Sequence, residues 1–167
     1  YDIAQCLVGS EMCIRDRFAK RNNAVASTEV KSFEHLICTE QLSRRLGFKV
    51  GEELIRVVRV RSLNGNARQV DHGYFLESIA KGLTPEIAAK SIYDYLEHKR
   101  GVKVMASRRT VSVELANDED CSYLDLGKYN CVAVMESQSY TSDGILFEVT
   151  HARTHPEIFH YRVNSKR

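Results

Sequence analysis

The sequence 53-ELIRVVRVRSLNGNARQVDHGYFL-76 contains two runs with valine, isoleucine and aromatic residues on either side of Asn64-Gly65. Asn-Gly favours the tight turn of a hairpin because both residues tolerate a positive φ. We therefore predict a β-hairpin whose strands cover about residues 53–62 and 67–76. This antiparallel pair of strands is the starting point for the rest of the fold.

Strand and helix signals continue on both sides of the hairpin. Alternating or β-branched residues predict further strands at residues 28–38, 102–115, 130–140 and 145–153. Capping residues predict helical segments at residues 39–46, 84–101 and 117–127. Hairpins interleaved with helices indicate the α+β class, with a mainly antiparallel sheet and helices on one face.

Composition and charge exclude several classes of protein. The 167 residues include 24 Lys and Arg against 22 Asp and Glu, so the net charge of +2 does not point to nucleic acid or an acidic membrane. The chain lacks an apolar run of about eighteen residues and a signal peptide, which predicts a cytoplasmic protein without membrane contact. Five cysteines without metal-type spacing predict reduced thiols, no metal site and no cofactor.

The N-terminal residues resemble translated adapter sequence. Residues 11–17, EMCIRDR, match one reading frame of the transposon mosaic end used in sequencing libraries. We therefore predict that residues 1–17 are an artefact and that residues 18–27 are the remnant of a linker. A single domain is then expected over residues 28–167. The alternative for residues 1–17 is a natural, frayed helix.

Several motifs resemble one protein family. They are RVRSLNG (59–65), YF (74–75), SIYDYL (91–96), LDLG (124–127), GILFE (144–148) and HPE (155–157). Together they resemble the UTRA domain of GntR-type bacterial transcription regulators. Within that family, residues 91–93, 125–130 and 147–159 are most similar to trehalose operon repressors.

The resemblance implies a chorismate-lyase-like fold, a homodimer and repression of transcription rather than catalysis. A small-molecule effector would weaken operator binding by a separate winged helix-turn-helix domain. That domain is missing from this sequence, so DNA is expected as a partner only of the missing N-terminal domain. The implied effector is a phosphorylated sugar such as trehalose 6-phosphate. Residues 161–167, YRVNSKR, depart from the aromatic-rich ending of trehalose repressors, which leaves other effectors open.

Arg59 and Arg61 are the first candidates for binding the effector. They are two apart on a predicted strand, so both side chains leave the same face about 7 Å apart. Paired guanidinium groups suit a phosphate dianion because each can donate two parallel hydrogen bonds. The spacing alone favours a solvated sheet face over a phosphate site, and the resemblance reverses that order in favour of phosphate.

Ser91 and Tyr93 are the second pair of candidates. Two residues turn about 200° in a continuous helix, so the two side chains could not point the same way there. Ser91-Ile92-Tyr93-Asp94 is a capping-box pattern, which predicts a helix that breaks near Lys90 and restarts with Ser91 as N-cap. Free N–H groups at the new helix start would suit a phosphate. The alternative is an unbroken surface helix with Tyr93 in the core.

The remaining candidates rest mainly on the resemblance. Glu148 has the spacing from Gly144 at which the family places a hydroxyl-binding acid, and Arg153 follows on the same strand. A carboxylate can accept from two sugar hydroxyls, while arginine donates to ring or phosphate oxygens. Weaker candidates for the same pocket are Asp71, Tyr74 and Tyr140.

Three other functions compete with a sugar-phosphate sensor. A chorismate-lyase-like enzyme would also use arginines and a glutamate, although His151 and His155 have neither metal nor acid–base spacing. The same regulator could instead sense an amino acid, an amino-sugar phosphate or an alkyl phosphonate. A plain dimerisation domain without a ligand is the third alternative.

The adapter interpretation makes a direct prediction about stability. Deleting residues 1–17 should leave the melting temperature unchanged within error, because a segment that was never selected with this fold makes no specific core contact. Thermal unfolding of the two proteins, followed by circular dichroism, measures the difference. A fall of several degrees would assign the segment to the domain.

Overall fold

The structure is a computed structural model, and it describes residues 25–161. The predicted adapter segment and nearly all of the predicted linker lie outside the described residues. Within 25–161, no helix has both the length and the apolar character needed to span a bilayer.

One six-stranded sheet forms the centre of the domain. Its strands are β1 (Ala26–Ile37), β2 (Glu53–Leu63), β3 (Asn66–Leu76), β4 (Val104–Leu115), β5 (Cys131–Thr141) and β6 (Leu146–Thr154). They are arranged in the order β1-β2-β3-β6-β5-β4, and every neighbouring pair is antiparallel. The predicted α+β class with a mainly antiparallel sheet is therefore confirmed.

The two predicted hairpins are β2–β3 and β5–β6. At the first turn, Asn64 and Gly65 have φ angles of 50° and 81°, the left-handed region that the Asn-Gly pair tolerates. At the second turn, Gly144 has a φ of 75°. The turn chemistry thus sets both hairpins locally, whereas the pairing of β3 with β6 joins them across the chain.

Short helices connect the strands. They are α1 (Glu40–Leu46), α2 (Pro85–Ala88), α3 (Ile92–Asp94), a π-helical turn at Tyr95–Lys99, α4 (Asp118–Tyr123) and a 3-10 turn at Pro156–Ile158. The predicted caps of α1 are present, since Thr39 accepts from Leu42 N and Gly47 ends the helix with a φ of 89°. Asn117 and Asp120 form a capping box at the start of α4.

The predicted break in the helical stretch after Thr84 is confirmed. Ser91 has extended backbone angles, φ −141° and ψ 107°, and its Oγ accepts from the backbone N–H of Asp94 at 3.1 Å. The chain therefore leaves α2, passes through one extended residue and begins α3 with Ser91 as N-cap.

Strand alternation gives the sheet two different faces. Arg59 lies opposite Asp71 on the neighbouring strand, and Glu148 lies opposite Phe75. We call the face that carries Arg59, Asp71 and Glu148 the front face. The intervening residues, including Val58, point to the other side, which we call the back face.

The helices divide between the two faces, whereas the sequence predicted helices on one face. On the front face, Arg59 Nη1 lies 3.5 Å from the backbone oxygen of Ala88 in α2, and Tyr93 of α3 contacts Glu148. The helical stretch after Thr84 therefore covers the front face. The reason is that both faces of the sheet carry buried apolar side chains, such as Val57 on the front and Val58 on the back, so each face needs a covering layer.

Helices α1 and α4 cover the back face. Gln138 Nε2 donates to the backbone oxygen of Leu46 at the end of α1 at 3.3 Å. Arg153 Nε donates to Asp120 of α4 at 2.9 Å. By strand alternation, the side chains of Gln138 and Arg153 both point to the back face, so these contacts place both helices there.

Two hydrophobic clusters hold these layers together. The larger cluster joins α1, the segment after Thr84 and one end of the sheet, and its fully buried side chains include Leu46, Leu54, Phe75, Leu96 and Phe147. The second lies under α4 and is built from Val58, Val60, Val70, Leu124, Leu126, Val132 and Val134. Burying each large apolar side chain contributes about 1.5–3 kcal/mol.

A pair of histidines on the back face is linked to acidic side chains. His72 lies directly opposite His151. His72 Nε2 is 3.1 Å from Glu119, and His151 Nδ1 is 3.2 Å from Glu136. Burial lowers the pKa of both imidazoles, and the two carboxylates oppose that shift only in part.

These two histidines should make stability fall as the pH drops below their ordinary pKa of about 6.5. With a lower pKa in the folded state, the folded domain binds fewer protons than the unfolded chain, so acid favours unfolding. Urea unfolding at pH 7.5 and pH 5.5 should show a smaller loss in a His72→Gln/His151→Gln variant than in wild type. Part of the pH dependence of the unfolding free energy should remain in the double variant, because the pKa of His155 is also lowered.

The exposed His98, changed to Gln, is the matched control for a histidine substitution outside this buried pair. Equal pH slopes for the wild type and the double variant would contradict the assignment to the buried pair.

Candidate functional site

The centre of the candidate site is a buried ion triad on the front face. The side chains of Arg59 and Arg61 are 7% and 11% exposed, and that of Asp71 is 1% exposed. Asp71 Oδ2 lies 3.4 Å from Arg59 Nη2 and 2.5 Å from Arg61 Nε. The second contact is a close ion pair whose geometry departs from that of a hydrogen bond. Strand register causes this arrangement, because Arg59 and Asp71 are direct cross-strand partners.

Asp71 is ionised in this environment. Burial alone would raise the pKa of its carboxyl group, but the charges of Arg61 and Arg59 and a hydrogen bond from Gln69 hold that pKa below its ordinary value. Gln69 Nε2 lies 2.5 Å from Asp71 Oδ1. Two guanidinium cations and one carboxylate leave the triad with one net positive charge.

A network of hydroxyl groups surrounds a second buried acid. Glu148 is 2% exposed. Thr150 Oγ1 donates to Glu148 Oε1 at 3.0 Å, and the hydroxyl of Tyr93 contacts both Glu148 Oε2 and, at 2.9 Å, Ser139 Oγ. The side chain of Ser91 caps α3, the helix that carries Tyr93.

The structure brings several of the predicted residues to one face. Arg59, Arg61, Asp71, Tyr93 and Glu148 all lie on or against the front face. Because four of these five side chains come from strands paired in the order β2-β3-β6, the sheet register alone sets their relative positions.

Arg153 is not brought to this group. It is five residues from Glu148 on the same strand, and an odd separation places the two side chains on opposite faces. On the back face, Arg153 pairs with Asp120 at 2.9 Å and with Glu114 at 2.5 Å. Its role in the structure is to attach α4 and β4 to the sheet.

Tyr74 and Tyr140 also lie away from the ion triad. The hydroxyl of Tyr74 accepts from Arg45 Nη2 of α1 at 2.8 Å, so this side chain is on the back face. Tyr140 follows a β-bulge and donates to Gln138 at 3.2 Å. Tyr74 therefore contacts α1 directly, and Tyr140 is linked to α1 through Gln138.

Sequence reasoning missed a row of polar residues on the front face. Ser139 lies opposite Glu148, Ser137 opposite Thr150, and Arg109 of β4 opposite Ser137. Ser137, Ser139 and Thr150 are at most 3% exposed. Small hydroxyl residues at alternate positions of β5 were the available signal, since a buried strand face is usually apolar.

This arrangement suits a ligand with both an anionic and a hydroxylated part. Guanidinium groups bind anions, while Glu148 with its hydroxyl neighbours can exchange hydrogen bonds with alcohols. Within residues 25–161, no three His, Cys, Asp or Glu side chains are grouped to hold a metal ion. A separate cleft of about 270 Å³ lies at residues 100–103 and 141–143, away from these polar groups.

Comparison with known proteins identifies the family. The model of the UTRA domain matches residues 21–160, which is most of the chain. The chain belongs to the UTRA family. This UTRA domain is 28% identical over 123 residues to the HTH-type transcriptional regulator TreR of Bacillus subtilis, covering 74% of this chain and 52% of TreR. It is 21% identical over 135 residues to the transcriptional repressor NagR of the same organism, covering 81% and 55%. The chain thus spans about half the length of these curated relatives.

Solved structures agree with the family. The effector-binding domain of the B. subtilis trehalose repressor TreR superposes with a TM-score of 0.78 at 27% identity, covering 84% of this chain and 98% of that one. The effector domain of PhnF from Mycobacterium smegmatis shares the fold with a TM-score of 0.74 at 16% identity, covering 90% and 93%. The UTRA fold is therefore established for this chain, and the relatives' names describe transcription regulators.

Proposed function

We propose that this UTRA domain is the effector-binding domain of a GntR-family transcription repressor and that its effector is a phosphorylated sugar such as trehalose 6-phosphate. The observation that carries the proposal is the buried Arg59–Asp71–Arg61 triad on the same sheet face as Glu148 and its hydroxyl neighbours. The likeness to TreR, whose solved domain is described as that of a trehalose repressor, supports the choice of sugar.

The arginine pair would hold the phosphate. Its guanidinium groups are nearly buried, so a bound anion would interact with them in a medium where charge interactions are stronger than in water. Guanidinium forks can donate paired hydrogen bonds to phosphate oxygens. Ser91 lies at the start of the next helical segment on this side of the sheet and would complete the phosphate contacts.

Glu148 would hold the sugar. On β6 it is four residues from Ala152, the cross-strand partner of Asp71, so the two ends of the site are about 13 Å apart along the strand. That separation suits a ligand longer than one sugar ring. A carboxylate accepts from two hydroxyls, and Ser139 and Thr150 can both donate and accept.

Effector binding would act on DNA through another domain. Among residues 25–161, the longest α-helix has seven residues, and a recognition helix of the helix-turn-helix type is normally part of a dedicated DNA-binding unit. The effector would shift the population of operator-competent repressors in the cytoplasm through its different affinity for the two states. The domain itself would bind its ligand without catalysis.

We also propose that the repressor is a homodimer that uses edge strand β4. This strand exposes Met105, Val111, Val113 and Leu115, which are 64%, 40%, 72% and 75% exposed. Long apolar edge strands are templates for pairing with another chain. A second copy of β4 paired antiparallel about Val111 would set Arg108 against Glu114, so the strand is complementary to itself.

Calorimetry tests the phosphate site. The wild-type domain should bind trehalose 6-phosphate far better than trehalose. Arg59→Ala should lower the affinity for trehalose 6-phosphate by roughly ten- to a hundredfold, because a charge-assisted hydrogen bond contributes about 1.5–3 kcal/mol. Arg61→Lys should lose part of that affinity, since lysine keeps the charge without the fork. Arg44→Ala, which removes an exposed arginine on α1, is the control. Equal affinity of the wild type for both sugars would refute the phosphate site.

Light scattering during size-exclusion chromatography tests the dimer surface. Val111→Glu places two like charges directly opposite each other at the centre of the proposed strand pair and removes apolar burial of about 1.5 kcal/mol or more per copy, so dimerisation should weaken by about a hundredfold or more. Val50→Glu is the matched control, because Val50 is 60% exposed and lies outside β4. A Val111→Glu protein that remains dimeric at the same concentration would exclude this edge.

A further inference from the structure

The two arginines of the candidate site already have an anion. The carboxylate of Asp71 is 1% exposed and lies between Arg59 and Arg61, with Oδ2 within 3.4 Å of both guanidinium groups. Its other oxygen is held by Gln69. A carboxylate in this position satisfies the same cations that a phosphate would use.

Binding of a phosphate dianion would change the net charge of the triad from positive to negative. With a phosphate dianion added, the triad would hold three negative charges against the two positive charges of Arg59 and Arg61. Uncompensated charge in a buried site is costly, and a carboxyl group close to another anion responds by taking up a proton. The proton would convert Asp71 from a competing acceptor into a hydrogen-bond donor for a phosphate oxygen.

The groups around Asp71 support its role as the proton acceptor. Glu148 is farther along the sheet and has Thr150 and Tyr93 as hydrogen-bond partners. The charge of Asp71 also acts on His72 of the back face. The elements around Asp71 carry further ionisable or polar groups. They are Arg59 and Arg61 from β2, Gln69 and His72 from β3, Arg109 from β4, Glu148 from β6 and Tyr93 from α3.

We propose that Asp71 is an internal anion that competes with the phosphate of the effector for Arg59 and Arg61 and that it accepts one proton from solvent as that phosphate binds. This inference rests on the proposed phosphate site and adds a regulatory property to it. Effector affinity would then depend on pH even at pH values above the second pKa of the phosphate, which is about 6.

The experiment measures proton uptake during binding. Titrating trehalose 6-phosphate into the domain at pH 7.5, in buffers with different ionisation enthalpies, gives the number of protons taken up. The wild type should take up close to one proton, and its affinity should fall by up to about tenfold for each pH unit between pH 7.5 and pH 8.5. In Asp71→Asn the uptake should fall to nearly zero, and the affinity should rise at least tenfold because the competing charge is gone.

Two further variants keep the outcome interpretable. Asp143→Asn removes an exposed acid in the β5–β6 turn and should behave as the wild type. Glu148→Gln should retain the uptake, even if it binds the sugar less tightly. Circular dichroism establishes whether each variant is folded, and the pH dependence of the wild type tests the inference even if Asp71→Asn does not fold.

The possible failures are distinct. Binding by the wild type without proton uptake, or equal uptake by a folded Asp71→Asn, overturns the role of Asp71 and leaves the phosphate site intact. If neither trehalose 6-phosphate nor inorganic phosphate binds to the wild type or to a folded Asp71→Asn, both the phosphate site and the role of Asp71 are overturned.

Discussion

The alternation of valine and arginine along β2 is the constraint on which the rest of the structure depends. Val58 and Val60 are buried in the cluster under α4, and this burial sets the register of the strand. The same register forces Arg59 and Arg61 to the front face, beneath the segment that follows Thr84. A shift by one residue would exchange the two sets, so the packing of the back face determines where the cations of the front face lie.

Burying two cations on one sheet face requires a matching anion. An unpaired buried guanidinium group would destabilise the domain by several kcal/mol, and Asp71 supplies the negative charge from the neighbouring strand. The front face can therefore be polar without losing stability. Hydroxyl residues and Tyr93 do the same for Glu148, since they satisfy its carboxylate oxygens within the sheet and from α3.

Local chemistry predicted much of the fold and part of the site. Asn64-Gly65 identified the central hairpin, and the capping pattern at Ser91 located the break in the helical stretch, because both depend on neighbouring residues. Arg153 was grouped with Glu148 because both lie on one predicted strand, although their odd separation places them on opposite faces. Ser137 could not be placed beside Arg109 because the pairing of β5 with β4 joins strands separated by α4, which turn signals alone do not align.

The strand order also divides the sheet into two three-stranded halves, β1-β2-β3 and β4-β5-β6, which meet only where β3 pairs with β6. Each half is a meander of consecutive strands. The pairing of β3 with β6 brings together residues that are far apart in the sequence, and such non-local contacts form slowly. The arginine pair belongs to the first half and Glu148 to the second. A molecule bound to both would connect the two halves across the β3–β6 pairing, so its binding free energy would directly oppose their separation.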